Sequence, residues 1–337
     1  MHRGRWLVPL LILTAALLFL LALASGSVPI PVRMVLDALL GHGEAEPAQA
    51  MIVREVRLPG AITALVAGAG LAVCGLLMQT LFRNPLAGPS VLGVTSGASL
   101  AVAALMLVPG LHHSLPSGVG VLGASMAGAI AVLLLMLAVD RRVGDGLTLL
   151  IVGMMVGYLC GALVQVMQAG SGSGALKGFV QWGMGSFGQV PRDGLWWLVV
   201  PVLAGLLWAH ARVKALNALL MGDGYAASLG VKVPEARRTL LVITGVVAGC
   251  ITAHCGPVAF LGLATPHVAR ALFRTADHSR LLPGTMLCGA VLGLLCEVIV
   301  RSSGAVATVP LNAVTSLLGA PVVLWVLLSG KRWLRPA

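Results

Sequence analysis

Long apolar runs, broken at short intervals by glycine, proline and charged residues, fill the chain from end to end. A helix needs about 20 apolar residues to cross the hydrocarbon core of a bilayer. By that measure the runs predict about ten helices, at 6–25, 61–82, 91–108, 118–139, 147–169, 194–209, 239–254, 256–268, 282–300 and 314–329. The eighth is too short to cross alone. The first follows Arg3 and Arg5, as a signal peptide would, but no small-x-small cleavage site precedes a soluble domain, so it reads as a retained span. The expected architecture is an all-α polytopic membrane protein, a single transmembrane domain over residues 1–337.

Composition narrows the class. With 58% apolar and 10% charged residues, the chain has too little polar surface to coat a soluble globule. Its 43 glycines suit helices that pack closely through small faces. The six cysteines (Cys74, Cys160, Cys250, Cys255, Cys288, Cys296) lie in or beside apolar segments without a CxxC pair, which fits small packing residues better than disulfides or metal ligands. The net charge of +11 reflects the positive-inside bias and calls for no nucleic acid.

With the N-terminus inside, 16 of the 22 basic residues fall in cytoplasmic segments. The other six, Arg33, Arg54, Arg57, Lys177, Arg192 and Arg301, are balanced by Asp37, Glu44, Glu46, Glu55, Asp193 and Glu297 on the same side. Both termini are therefore expected in the cytoplasm, with an even number of spans.

Three polar segments do more than connect. Residues 83–99 stop one helix at Arg83-Asn84-Pro85 and start the next with small residues after Pro89. Residues 211–238 read as two short amphipathic helices split at Gly222-Asp223-Gly224, too short to span and too apolar to float free. Either a protein partner covers them or they lie at the lipid interface. Residues 255–270 bracket an apolar piece of under three turns between Pro257 and Pro266; irregular backbone at this depth must be buried in protein or line a wet cavity. The Gly-Pro breaks at 88–93 and 256–262 follow spans of opposite direction, a weak inverted repeat of the kind that lines a transport path.

These segments resemble the permeases of the type II ABC importers (FecCD type), which take up iron-siderophores, haem and cobalamin. The family's R-L-P-R start, R-N-P-L-A-x-P turn, L-G-x-x-A-x-x-L-G stretch, G-P-x-x-F-x-G-L-x-x-P-H-x-A-R motif and G-A-P stand here as Arg57-Leu58-Pro59-Gly60, Arg83 to Pro89, Met221 to Gly230, Gly256 to Arg270 and Gly319-Ala320-Pro321. Asn84, Pro85, Pro89, Gly256, Pro257, Pro266, His267 and Arg270 are the structural positions of those motifs. The likeness covers nearly the whole chain.

The resemblance implies a homodimer with a substrate path on its axis, a cytoplasmic ABC ATPase dimer that holds ATP-Mg, and a periplasmic or lipid-anchored substrate-binding protein. It places the protein in the bacterial inner membrane with no cofactor of its own. No G-x-x-x-x-G-K-[ST] motif occurs in the chain, so ATP chemistry lies elsewhere. Residues 211–238 would be the coupling element, with Leu219, Met221, Gly222, Asp223, Ala226, Leu229 and Gly230 at the ATPase contact. On the outer rim Arg57 and Arg301, with Arg54 in place of the arginine that Gly60 lacks, would meet acids of the binding protein; for Arg301 an i,i+4 pair with Glu297 competes with that role. Where relatives carry E-L-P-x-G, this chain has Thr308-Val309-Pro310-Leu311-Asn312. Met78, Gln79, Gln165, Met167 and Gln168 are candidates for the path lining, against ordinary packing.

His112, His113, His254 and His267 invite a haem-ligand reading, weighed against structural roles; a transported haem needs no fixed ligand. The rival class is an ion-coupled secondary transporter, which requires an ionisable site at mid-membrane. The spans are almost free of such groups. An intramembrane protease would need H-E-x-x-H, which is absent.

Overall fold

The computed structural model describes residues 3–28, 30–41, 47–110, 117–303 and 309–328. Glu44, Glu46, His112, His113, Thr308, Lys331, Arg332 and Arg335 lie outside the described residues. Among the described residues the chain is helical throughout, with no strand.

Each of the predicted apolar runs has a helix: α1 (Arg3–Ala24), α4 (Leu58–Leu81), α5 (Val94–Leu107), α6 (Ser117–Val143), α7 (Gly146–Ala169), α9 (Leu195–Ala211), α12 (Val233–Cys255), α13 (Leu261–Phe273), α14 (His278–Ser303) and α15 (Leu311–Leu328). Among the described residues seven stretches are long and apolar enough to cross a membrane, and α5 and α15 are shorter apolar helices. At 13 residues α13 reaches only about 20 Å, as its short run predicted.

Five shorter helices complete the chain: α2 (Val32–Leu40), α3 (Pro47–Met51), α8 (Ser173–Gly183), α10 (Val213–Leu220) and α11 (Asp223–Ser228). Two differences from the sequence reading stand out. The second span does not start at residue 61: helical winding begins at Pro47 and passes through a π turn at Ile52–Arg57 before α4. The glycine-rich stretch after α7 folds as α8, because Phe179 and Trp182, three apart, bury one face against Val102, Ala103 and Leu107 of α5.

The chain divides into two compact units. One comprises Met1–Val73, Ser186–Leu203 and Val258–Ala337; the other comprises Cys74–Gly185 and Ala204–Pro257. In the first unit α1 packs on α14, α13 packs on both α14 and α15, and Gly68 of α4 meets Gly289 and Gly293 of α14 backbone to backbone. In the second, α6 is flanked by α5 and α12, and α5 also contacts α7. The α5–α6 crossing is tight: a Cβ on Gly97 would lie 2.6 Å from the carbonyl oxygen of Gly128. Such contacts are how helices gain dispersion energy where burial from water cannot drive association.

Candidate functional sites

In the second unit, α4 ends where Arg83 adopts φ 46°. The amide of Asn84 donates to the Gln79 carbonyl (3.2 Å) and that of Arg83 to Thr80 (3.3 Å), a Schellman closure built on a non-glycine residue. Asn84 Oδ1 then accepts from the Leu86 amide (2.9 Å), turning the chain through Pro85 toward the 3₁₀ turn Pro89–Leu92. A Cβ on Gly153 of α7 would collide with the carbonyl of Val91, so this turn rests directly on α7.

The 211–238 segment forms α10 and α11, hinged at Gly222, whose φ of 106° suits glycine alone. A Cβ there would also lie 3.1 Å from Arg83 Nη1. The candidate coupling residues divide by direction: Leu219 and Ala226 are buried, whereas Met221 and Leu229 are 59% and 60% exposed, and Tyr225 is exposed beside them. Gly230 ends α11 at φ 82°.

Beneath this surface lies an ionic cluster that the sequence reading did not single out. Arg237 Nη1 is 3.4 Å from Asp140 Oδ1, and its Nη2 is 3.4 Å from Asp223 Oδ2. Arg238 Nε is 3.3 Å from Asp140 Oδ2. The side chains of Asp140 and Arg237 are only 2% and 5% exposed. The signal was an acid on the last turns of α6, directly before Arg141 and Arg142, where solvation alone would favour the cations. Just beyond α6, Asp145 caps α7 by accepting from Thr148 N (2.9 Å) and Oγ1 (2.8 Å), which holds its carboxyl below the usual carboxylate range.

In the first unit the docking candidates Arg57, Arg301 and Arg54 are each engaged by backbone carbonyls. Arg57 is 4% exposed; its Nη1 donates to the carbonyls of Leu23 and Ala24 (2.8 Å each) and its Nη2 to that of Val28. Arg301 donates to Ala22 O (2.9 Å) and to Glu297 Oε1 (2.5 Å), the i,i+4 pair that the spacing allowed. Both cations therefore serve the orphan carbonyls at the C-terminal end of α1. Arg54 Nε donates to Ala38 O at 2.5 Å, fixing the end of α2. A helix end that turns back into protein must find donors, and the arginines counted as outward charges are the donors within reach. Arg192, by contrast, is exposed and pairs with Glu55 at 2.7 Å.

The position at which the family's second arginine is missing is also explained. A Cβ on Gly60 would collide with Arg301 Nη2, so the guanidinium from α14 occupies the space above Gly60.

Gly256, at φ 72°, lies against the Trp182 carbonyl within the second unit. In the first unit Asn312, which stands in the segment that departs from the family pattern, accepts from the Ala259 amide at 3.0 Å. Phe260 caps α13 in the left-handed region, and Gly319 packs on its ring. Pro266 and His267 are buried in α13, and Arg270 is half-buried. Helices α13, α14 and α15 enclose an apolar cavity of about 30 Å³, lined by Phe260, Leu261, Thr265, Cys296, Thr315 and Gly319, which is far too small for a chelate. His254 Nδ1 lies 2.8 Å from the Cys250 carbonyl four residues back, a local helix contact. The six cysteines are buried and form no disulfide. No group of three potential metal ligands occurs among the described residues.

The lining candidates are not brought together. Met78 and Gln79 are buried near the end of α4, which the start of α7 at Gly146 adjoins; Gln165, Met167 and Gln168 lie about five turns further along α7. Gln165 is exposed, and Met167 and Gln168 are half-buried.

Comparison with known proteins decides the family. The FecCD transport family matches residues 12–329. The chain belongs to the FecCD transport family. It is 37% identical over 329 residues to the vitamin B12 import system permease protein BtuC of Salmonella typhimurium, covering 97% of this chain and 96% of that protein. The corresponding protein of Salmonella paratyphi A is 36% identical over the same length. A solved structure described as an inward-facing conformation of a metal-chelate type ABC transporter superposes with a TM-score of 0.83 at 30% identity, covering 96% of this chain and 99% of that one. The chain is thus a multi-span permease of the type II ABC importer class.

Proposed function

We propose that the chain is the membrane-spanning subunit of an ATP-driven, binding-protein-dependent importer of a metal chelate, and that the cargo is a corrinoid. The observation that carries the mechanism is the exposed apolar face of Met221, Tyr225 and Leu229 on a hinged pair of short helices held from below by buried charges. That face suits a soluble ATPase groove. ATP-Mg binds in the partner ATPase dimer, and its closure pushes on α10–α11 and thereby reorients the pathway as a rigid body.

The corrinoid assignment is supported by the similarity to vitamin B12 permeases over 97% of the chain; ferric siderophores and haem are the alternatives. In this reading two copies form a homodimer in the bacterial inner membrane, with ten crossings each, both termini cytoplasmic, a weak inverted repeat and a path on the dimer axis lined in part by Gln165, Met167 and Gln168. A periplasmic or lipid-anchored binding protein docks on the rim near Arg192, while Arg54, Arg57 and Arg301 serve docking by fixing the backbone beneath it. Ion coupling is disfavoured because the buried acids of the described helices, Glu297 of α14 and Asp140 of α6, are both engaged by arginines.

The test is ATP hydrolysis by this protein reconstituted in lipid with its cognate ATPase and with binding protein loaded with cyanocobalamin, a ferric siderophore or haemin. Stimulation by cyanocobalamin is expected. Stimulation by an iron compound alone overturns the cargo, and absence of a stable complex with any ATPase overturns the importer mechanism.

A further inference from the structure

We propose that Arg237 and Asp140 are positioning residues that carry movement of α11 into α12 and α6 through a rigid ionic link. The proposal rests on the reading of α10–α11 as the ATPase contact. Arg237 opens its fork between two carboxylates on different elements, Asp140 at the end of α6 and Asp223 at the start of α11, each at 3.4 Å. Asp140 uses its other oxygen for Arg238 at 3.3 Å. The four formal charges cancel, so the cluster closes on itself.

Three features make this a link and not a surface decoration. The central pair is 2% and 5% exposed, so water does not compete for it and the attraction is far stronger than between solvated groups. The planar guanidinium holds two acceptors at a fixed separation, which a lysine ammonium cannot do. And α11 has six residues with Ala226 as its buried side chain, so apolar packing holds it weakly and the ionic tie at Asp223 governs where its start goes. The outer ends of the chain, Asp223 and Arg238, are 47% and 41% exposed. The core of the link is thus fixed between α6 and α12, while its α11 end is free to be loaded from outside. Arg83, against Gly222, sets a second cation at the same hinge.

The experiment measures uptake and ATP hydrolysis in proteoliposomes of the full permease with its ATPase and its loaded binding protein. The tracer is whichever of radiolabelled cyanocobalamin, a ferric hydroxamate or haemin the wild type transports. Asp140→Asn leaves Arg237 paired with Asp223 and Arg238 partly hydrated, so no buried charge is orphaned. The expected result is a complex that assembles and hydrolyses ATP within about twofold of wild type, while uptake per ATP falls about tenfold. Arg237→Lys, which keeps the charge but not the fork, should lose uptake per ATP to a similar extent, and it serves if Asp140→Asn does not accumulate. Because Asp140 and Asp223 act through one arginine, uptake per ATP by the fraction of the double variant Asp140→Asn/Asp223→Asn that assembles with the ATPase should fall no further than by the worse single one. Wild-type uptake per ATP in both Asp140→Asn and Arg237→Lys overturns the link, as do losses that multiply in the double variant. The coupling reading has its own control. If Met221→Arg with Leu229→Arg leaves the ATPase bound, that reading fails; if this pair releases the ATPase while Asp140→Asn transports normally, only the link fails.

Discussion

Two arginine pairs in this protein, each built around one almost fully buried member, Arg57 and Arg237, do opposite things. Arg57 and Arg301 donate mainly to the backbone carbonyls of Ala22, Leu23, Ala24 and Val28, with a single carboxylate, Glu297, for two cations. The partial negative charge at the C-terminal end of α1 makes up the difference. Arg237 and Arg238 donate to carboxylates on α6 and α11, and their charges are matched one for one. Backbone acceptors belong to one helix end and cannot part without unravelling it. Side-chain acceptors on separate elements can shift together. The nature of the acceptor, more than burial, separates a brace from a link.

The comparison breaks most readily at Arg57. Arg57→Ala strands the carbonyls of Leu23 and Ala24 at the end of α1 and that of Val28 beyond it, and is expected to cost about 3 kcal/mol, read as a lowered unfolding midpoint in detergent. Arg237→Lys keeps a cation between its acids and should cost about 1 kcal/mol by the same measurement. Equal losses would erase the distinction. Gly60→Ala sharpens the brace: the new Cβ displaces Arg301 at a cost of about 1 kcal/mol, and the same substitution in an Arg301→Ala background should be harmless.

The smallest effect is at Asp145. Its carboxyl titrates below the normal range because Thr148 donates to the ionised form. Its contribution is therefore present above the unfolded carboxylate pKa of about 3.9 and is lost as pH falls through the lower folded value. Unfolding midpoints of wild type and Asp145→Ala should differ at neutral pH and converge in acid; a constant difference would show that the capping carboxylate is not the cause.

The helices were legible because bilayer-length apolar runs have few other uses, and each predicted run has its helix. Missed elements lacked such a run. Helix α8 hides in a glycine-rich stretch whose only cue is the spacing of Phe179 and Trp182, and the winding before α4 begins well upstream of the span predicted at residue 61. Among candidate site residues, the hinge at Gly222 was readable as a glycine-rich break, whereas the inward turn of Arg57 was not. A sequence counts a charge without saying whether water or a carbonyl receives it. The Asp140–Arg237–Asp223 cluster joins residues 97 and 14 positions apart, a separation that no local pattern encodes.

The π turn at Ile52–Arg57 has an evolutionary reading. Its closing bond runs from the Leu58 amide to the Val53 carbonyl, five residues back, so this turn carries one residue more than an α-helix would. Such a turn is how a helix accommodates a single inserted codon without dismantling its downstream packing. Everything ahead of it is rotated by about a third of a turn relative to α4, and that rotation determines which side chains of the incoming segment face the ends of α1 and α2. The extra residue is thus absorbed ahead of Leu58, while the glycine-lined half of the same helix stays locked against α14.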